Sequence, residues 1–430
     1  MEPLSATLIV LGFALLLMLS GVFVSLSLMT AGLVGLYIFR DNIGIASNVF
    51  FDSTNSFTLT AVPLFIFLGE VLVGCGASST IFRGTSRLLS WAPGGLLHAN
   101  LLSCAMFSAI SGSSPATAAT IGSVALPELE KRGYDRRLSL GSLAAGGTLG
   151  ILIPPSINMI VYGMIANASI GKLFISGVIP GILMVGLFMA YVGIRALRHR
   201  DLAPAEFKLS LSGVLLGLVE LWPVWFLAGI VLGGIFFGIF TPTEAAAVGS
   251  AGALLIAAAS RKLTWAMLSK AMTNTVAISS KVLIIYVGAM VLGNFLGVMG
   301  APQRLADFVL DADLSMYQVL AILLVFYLIL GAFLDGISMM VLTVPTVMPL
   351  ILGLGIDPIW FGVALVILCE SGMITPPMGL NLFVIQGISK SPLGEVVIGV
   401  LPFFGLMIAC LLLLTIFPSI ALWLPSLMAF

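Results

Sequence analysis

Two short segments concentrate oxygen-bearing side chains inside otherwise apolar stretches. The first reads Ser111-Gly112-Ser113-Ser114-Pro115 and runs on into Ala116-Thr117-Ala118-Ala119-Thr120; the second reads Asp335-Gly336-Ile337-Ser338. Closely spaced hydroxyl and carboxylate oxygens are the ligands that hard cations take. Small residues also let membrane helices approach each other, and that role accounts for Ala116, Ala118 and Ala119. Ser111, Ser113 and Ser114 are better placed as oxygen ligands. Asp335 is the sharper signal, because a carboxylate at membrane depth costs about 2.5–3.5 kcal/mol on insertion scales and marks a functional position. Downstream of each segment stands a proline pair, in Gly150-Ile151-Leu152-Ile153-Pro154-Pro155-Ser156 and in Gly372-Met373-Ile374-Thr375-Pro376-Pro377-Met378. Each proline removes a backbone donor and clashes with the preceding turn. Two such breaks free carbonyls for a cation and turn half-helix N-termini toward an anion. Pro154, Pro155, Ser156 and Asn158 at one break, with Pro376, Pro377 and Asn381 at the other, are therefore candidate substrate-binding positions. Thr375 flanks the second break and Glu370 precedes it.

The elements that must carry these segments are membrane helices. Only 8% of the 430 residues are charged and 60% are hydrophobic, against about 25% charged in ordinary globular domains. Lipid leaves backbone groups no partner outside the segment, so spanning elements are helices or closed barrels. Runs such as Val319–Leu330 are apolar on every side, which excludes alternating barrel strands. The fold class is an all-α polytopic membrane protein. Hydropathy places ten spans near 5–20, 22–39, 59–82, 138–168, 174–194, 212–239, 243–260, 282–300, 360–389 and 396–424. Two further apolar stretches, 95–130 and 316–354, are too long for one span, and each is interrupted in the middle by one of the polar segments. The start MEPLSATLIV lacks the basic region of a cleavable signal, so the first helix is expected to stay.

Basic residues favour the cytoplasmic side. Arg83 and Arg87 precede stretch 95–130, and Lys131, Arg132, Arg136 and Arg137 follow it, so both of its ends are cytoplasmic and it is a re-entrant hairpin. Arg195, Arg198, Arg200 and Lys208 place the central loop inside. The flanks of 316–354 carry Asp307, Asp311, Asp313 and Asp357 against Arg304, so that hairpin enters from the opposite face. Arg40, Lys172 and Arg304 are the outside exceptions, with Lys281 at a span edge. The chain then starts and ends outside. Pro154 and Pro376, Pro127 and Pro349, Gly150 and Gly372, and Ser113 and Asp335 all stand at one common interval. Five spans and a hairpin per half make two inverted-topology repeats. Repeat 1–208 comprises a scaffold (1–94), a hairpin (95–130) and a broken helix (138–168). Repeat 209–430 comprises a scaffold (209–315), a hairpin (316–354) and a broken helix (360–389).

Other function classes find little support. A formal net charge of zero with no basic run argues against a nucleic-acid partner. Cys75, Cys104, Cys369 and Cys410 are scattered through apolar sequence and read as buried free thiols. His98 and His199 build neither a metal site nor a catalytic triad. Asp335 with Glu370 is the only candidate dyad for an intramembrane protease, and nothing in the pair specifies acid–base geometry. No phosphate-binding loop of an ATP-driven pump is present. Glu244 follows Thr241 at capping-box spacing, where capping competes with a transport role. Glu70, Glu220 and Lys281 are explained by interfacial snorkelling or intersubunit pairing.

Four motifs in order resemble one family across essentially the whole chain: Gly112-Ser113-Ser114-Pro115-Ala116-Thr117-Ala118, Gly150 through Ser156, Phe240-Thr241-Pro242-Thr243-Glu244-Ala245-Ala246, and Thr375-Pro376-Pro377-Met378-Gly379-Leu380-Asn381. They are similar to the large membrane subunit of tripartite ATP-independent periplasmic (TRAP) transporters. The resemblance implies a Na⁺-coupled elevator in the bacterial inner membrane, importing small organic anions such as C4-dicarboxylates or sugar acids, sialic acid among them. It implies two or more transported Na⁺. One Na⁺ site carried onto this chain uses Ser111, Ser113, Ser114, Gly150 and Ile153; the other uses Asp335, Thr375 and Met378. It also implies a small four-helix membrane subunit, expected as a separate chain, and a periplasmic substrate-binding protein. A self-sufficient Na⁺/dicarboxylate symporter is the alternative, with shared hairpins and no binding protein.

Overall fold

Apolar sequence, proline and glycine together set where the helices begin and stop. The structure is a computed structural model that describes residues 3–40, 44–89, 91–199, 202, 210–312 and 314–428. Arg200, Lys208 and Asp313, which entered the charge reading, lie outside the described residues. The first part of the chain forms α1 (Pro3–Leu19), α2 (Val24–Arg40), α3 (Gly44–Thr54), α4 (Ala61–Gly74) and α5 (Ala77–Leu89). Next come α6 (Leu96–Ser111), α7 (Ser114–Lys131), α8 (Arg136–Leu152), α9 (Ile157–Ile165) and α10 (Ile170–Arg198). The second part forms α11 (Leu211–Glu220), α12 (Trp222–Phe236), α13 (Pro242–Ala259), α14 (Trp265–Val298) and α15 (Ala301–Asp311). It ends with α16 (Met316–Gly331), α17 (Gly336–Gly353), α18 (Pro358–Met373), α19 (Leu380–Ser389), α20 (Leu393–Ile416) and α21 (Ser419–Ser426).

Among the described residues six helices are long and apolar enough to cross a membrane, or up to eight if each of two bent pairs is one span. Every element among the described residues is helical, and the chain is a multi-pass membrane protein. Both interrupted stretches are helix–turn–helix units, α6–α7 and α16–α17. Both proline pairs divide helices, α8 from α9 at a 43° bend and α18 from α19.

Four expected spans differ from what folds. The stretch 59–82 is two helices, because Gly76 takes φ +70° and ends α4. The residues that follow, Ala77–Leu89, expose Ser79, Arg83 and Arg87 and turn Ser78, Ile81, Phe82, Gly84 and Thr85 inward, on a helix that packs on α6 and α11. The span 212–239 bends by 52° where Leu221 separates α11 from α12. Pro223 stands in the first turn of α12 and withholds an N–H. The span near 282–300 belongs to a 34-residue helix that begins at Trp265. Thr264 caps it, and Thr273, Asn274, Ser279, Ser280 and Lys281 dilute the hydropathy of a helix that is continuous nonetheless. Pro418 interrupts 396–424 between α20 and α21.

α8 and α18, the helices that run into the two breaks, are buried from Leu138 to Leu152 and from Trp360 to Met373. Helices this evenly buried sit inside a bundle rather than against lipid. α6, α7 and α20 pack along α8, and α16 packs on α18. A second group forms where α14 lies on α2 and α4, and α13 on α4. Three acidic residues left ambiguous by the sequence, Glu70, Glu220 and Glu244, have hydrogen-bond partners. Glu220 accepts from Arg83 at 3.1 Å and from Arg87 at 2.7 Å. Glu70 accepts from Asn274 at 2.8 Å. Glu244 completes the capping box of α13, accepting from the Thr241 N–H at 2.8 Å while the Thr241 hydroxyl accepts from the Glu244 N–H at 3.3 Å. That geometry gives Glu244 a capping role. The four cysteines are buried and free, as expected.

Candidate functional site

The first hairpin turns at Gly112, whose φ of +58° is a left-handed conformation that glycine adopts without a steric penalty. The turn is pressed against the first proline break. A Cβ on Gly112 would stand 2.9 Å from the Pro155 carbonyl oxygen, and one on Gly150 would stand 2.7 Å from that of Ser113. Only glycine at both places lets tip and break meet backbone to backbone. Within the tip, the Ser111 hydroxyl lies 2.8 Å from that of Thr117, which donates to the Ser113 carbonyl at 2.9 Å. Ser113 stands at the N-cap position of α7 with an extended backbone and no side-chain capping bond, and the Ser156 hydroxyl caps α9 by accepting from the Met159 N–H at 3.4 Å.

The second hairpin meets the second break in the same manner. A Cβ on Gly331 would stand 2.9 Å from the Gly372 Cα, and the Met378 N–H donates to the Ala332 carbonyl at 3.1 Å. Asp335 is the N-cap of α17. Its carboxylate accepts from the N–H groups of Ile337 at 3.2 Å and Ser338 at 3.3 Å, and from the Ser338 hydroxyl. Thr375 donates its hydroxyl to the Ser371 carbonyl at 2.7 Å. Pro154 and Pro155 are buried, whereas Pro376, Pro377 and Met378 are exposed, so the two breaks differ in accessibility.

The halves are also joined crosswise. Asn381, in the first turn of α19, donates to the Ser114 hydroxyl at 2.8 Å and to the Ala144 carbonyl at 3.2 Å. Ser114 in turn donates to Glu370 at 2.8 Å. Asn158, in the first turn of α9, lies against Gly336 at the start of α17, where an added Cβ would meet its amide nitrogen at 2.6 Å. Each asparagine therefore faces the opposite hairpin. The contacts close a ring: first tip to first break, first break to second tip, second tip to second break, and second break back to first tip. Four helix N-termini, those of α7, α9, α17 and α19, belong to that ring, and helix N-termini carry partial positive charge.

All fifteen candidate residues lie in this assembly, with Ser111, Ser113, Gly150 and Ile153 at the first tip–break joint and Asp335, Thr375 and Met378 at the second. Ser114 departs from the expected grouping, because its hydroxyl turns across to the other half. Sequence reasoning missed Thr117, Ser338 and the Ala332 carbonyl as partners. Thr117 and Ser338 each stand in the first turn of a helix that opens from a hairpin tip, a position that a capping argument singles out.

The sequence from 11 to 420 matches the family described as Tripartite ATP-independent periplasmic transporter, DctM component. The chain belongs to this family. It is 35% identical over 405 residues to the C4-dicarboxylate TRAP transporter large permease protein DctM of Vibrio cholerae, an alignment covering 89% of each chain. It is 33% identical over 419 residues to the sialic acid TRAP transporter large permease protein SiaM of the same organism, covering 96% of each. Among solved structures it is similar in fold to the YdaH transporter of Alcanivorax borkumensis, with a TM-score of 0.62, 14% identity and 98% of each chain covered. Membership assigns this DctM-family chain to transport rather than to enzymatic catalysis, and the resemblance read from four motifs is borne out.

Proposed function

We propose that the chain is the membrane-embedded carrier of a Na⁺-coupled importer of small organic anions in a bacterial inner membrane. It works with a small four-helix membrane subunit and a periplasmic binding protein that delivers the substrate. The observation that carries this reading is the ring of two hairpin tips and two proline breaks, with four helix N-termini in it. Positive helix ends favour anionic groups, while hydroxyl, carbonyl and carboxylate oxygens at Ser111, Ser113 and Asp335 suit a hard cation. The named substrates of the relatives, C4-dicarboxylate and sialic acid, are both small organic anions, and that is the class we assign here.

The two halves, 1–208 and 209–430, act as inverted repeats. Each hairpin travels with its own broken helix as one body, because glycine-to-backbone contacts hold tip to break. Helices such as α2, α4, α13 and α14 stay behind as the scaffold. The cation ligands keep their spacing during such a movement, and the site is exposed first on one face and then on the other. Purified chain and small subunit in proteoliposomes, with the binding protein outside, are expected to accumulate a C4-dicarboxylate or a sugar acid only under an inward Na⁺ gradient. Uptake without a Na⁺ gradient would remove the coupling, and uptake by the chain with no binding protein would make it a self-sufficient symporter.

A further inference from the structure

We propose that Glu370 and Asn381 form a cation site of their own, positioned by Ser114 between the first hairpin and the broken helix of the opposite half. The proposal rests on the Na⁺-coupled reading above and adds a site whose two ligands stand on either side of the second proline break, held in place by a hydroxyl of the first hairpin.

Glu370 is 1% exposed and Asn381 is fully buried. Ser114 donates its hydroxyl to Glu370 Oε2 at 2.8 Å, and Glu370 Oε1 has no hydrogen-bond partner. Asn381 Nδ2 donates to Ser114 Oγ at 2.8 Å and to the Ala144 carbonyl at 3.2 Å. A carbonyl only accepts, so the Ala144 contact fixes which end of the amide is nitrogen. The other end, Asn381 Oδ1, is buried and has no donor. Two bare oxygens thus belong to side chains anchored on one hydroxyl.

Buried acceptors are normally satisfied, and each exception calls for a ligand or a physical reason. Among the described residues no Lys, Arg or His forms an ion pair with Glu370. Its neighbour Cys369 turns away toward the Gly336 carbonyl at 3.7 Å. A lone carboxylate in such surroundings is unstable without a counter-charge. A monovalent hard cation between Glu370 Oε1 and Asn381 Oδ1 satisfies both acceptors and leaves the site neutral. A divalent ion would leave one positive charge uncompensated. Because Glu370 lies on α18 and Asn381 on α19, such a cation joins the two segments of the second broken helix, and the Ser114 hydroxyl at the start of α7 ties that pair to the first hairpin.

The test is equilibrium binding of radiosodium to the full chain purified with its small-subunit partner, with choline as the background cation. Glu370→Gln keeps the shape and removes the charge; it is expected to bind one Na⁺ fewer per chain than the wild type. Glu370→Asp should keep the count and weaken binding. Asn381→Ala should weaken one class of site about tenfold. An unchanged count in a well-assembled Glu370→Gln overturns the proposal, and the carboxyl then holds a proton instead. If that variant fails to assemble, Asn381→Ala decides, because unchanged Na⁺ affinity there also overturns it. Wild-type protein that binds no radiosodium defeats the coupling reading itself, an outcome distinct from a wild type that binds Na⁺ with the same count as the variant.

Discussion

Replacing Gly150 with alanine is expected to lower Na⁺-driven uptake about tenfold or more while the chain still inserts and holds its small subunit. The added methyl would lie 2.7 Å from the Ser113 oxygen, 2.8 Å from its carbonyl carbon and 2.8 Å from the Ser114 Cα. All three are backbone atoms, so no flexible side chain can give way. Overpacking of this kind costs about 1–3 kcal/mol, and about 1.4 kcal/mol corresponds to a factor of ten. Helix propensity opposes the effect, since alanine is favoured over glycine by about 0.8–1.0 kcal/mol in a helix interior. The clash wins because it falls on the joint between hairpin tip and break, while the propensity gain is spread over α8. Gly405 in α20 is the control: nothing stands within 4 Å of an added Cβ there, and alanine should be neutral or mildly stabilising. Comparing uptake and assembly for the two variants separates a damaged joint from general misfolding. Normal uptake by Gly150→Ala would show that the tip need not sit against the break.

Asp335→Asn is expected to weaken the apparent Na⁺ affinity of transport about tenfold or more, with substrate capture by the binding protein unchanged. The structure makes this substitution cleaner than the sequence alone could. Asp335 caps α17 through the N–H groups of Ile337 and Ser338, and asparagine caps about as well as aspartate. The helix therefore keeps its cap and loses only the charge. Hydrogen bonds and contacts to charged groups are worth about 1.5–3 kcal/mol, which sets the expected scale. Asp335→Ala removes cap and charge together and should cost roughly 1 kcal/mol of stability besides. Uptake measured against Na⁺ concentration distinguishes the two variants. An unaltered Na⁺ dependence in Asp335→Asn would leave Asp335 as a helix cap and nothing more.

What the sequence made legible was local. Gly112, Asp335-Gly336 and the two proline pairs announce their turns and breaks through their own backbone chemistry, and each is found where that chemistry puts it. Helix ends were harder. Lys281 and the polar residues before it hid the first four turns of α14, and a hydropathy average ran over the turn that Gly76 makes. The crosswise contacts had no local signal at all. Asn158 and Asn381 were singled out for standing beside their own breaks, yet each faces the hairpin of the other half. Ser114 sits with Ser111 and Ser113 in the sequence, but its hydroxyl bonds to Glu370, more than two hundred residues away. Pairings of that kind are set by how helices stack, which a motif read in one segment does not record.

The claim on which the rest depends is that the hairpins move against the scaffold, and a reversible cross-link tests it most directly. Gly69 of α4 faces the first hairpin, where an added Cβ would lie 3.2 Å from the Ile110 oxygen and 3.2 Å from the Ser111 Cα. With Cys75, Cys104, Cys369 and Cys410 replaced, the pair Gly69→Cys and Ile110→Cys places one thiol on each side of that contact. Once the disulfide is shown to be complete, Na⁺-driven uptake is expected to stop, and reduction is expected to restore it. Uptake that continues at the full rate of the unlinked protein while the disulfide is complete would contradict the moving-hairpin account and leave gating around a fixed site.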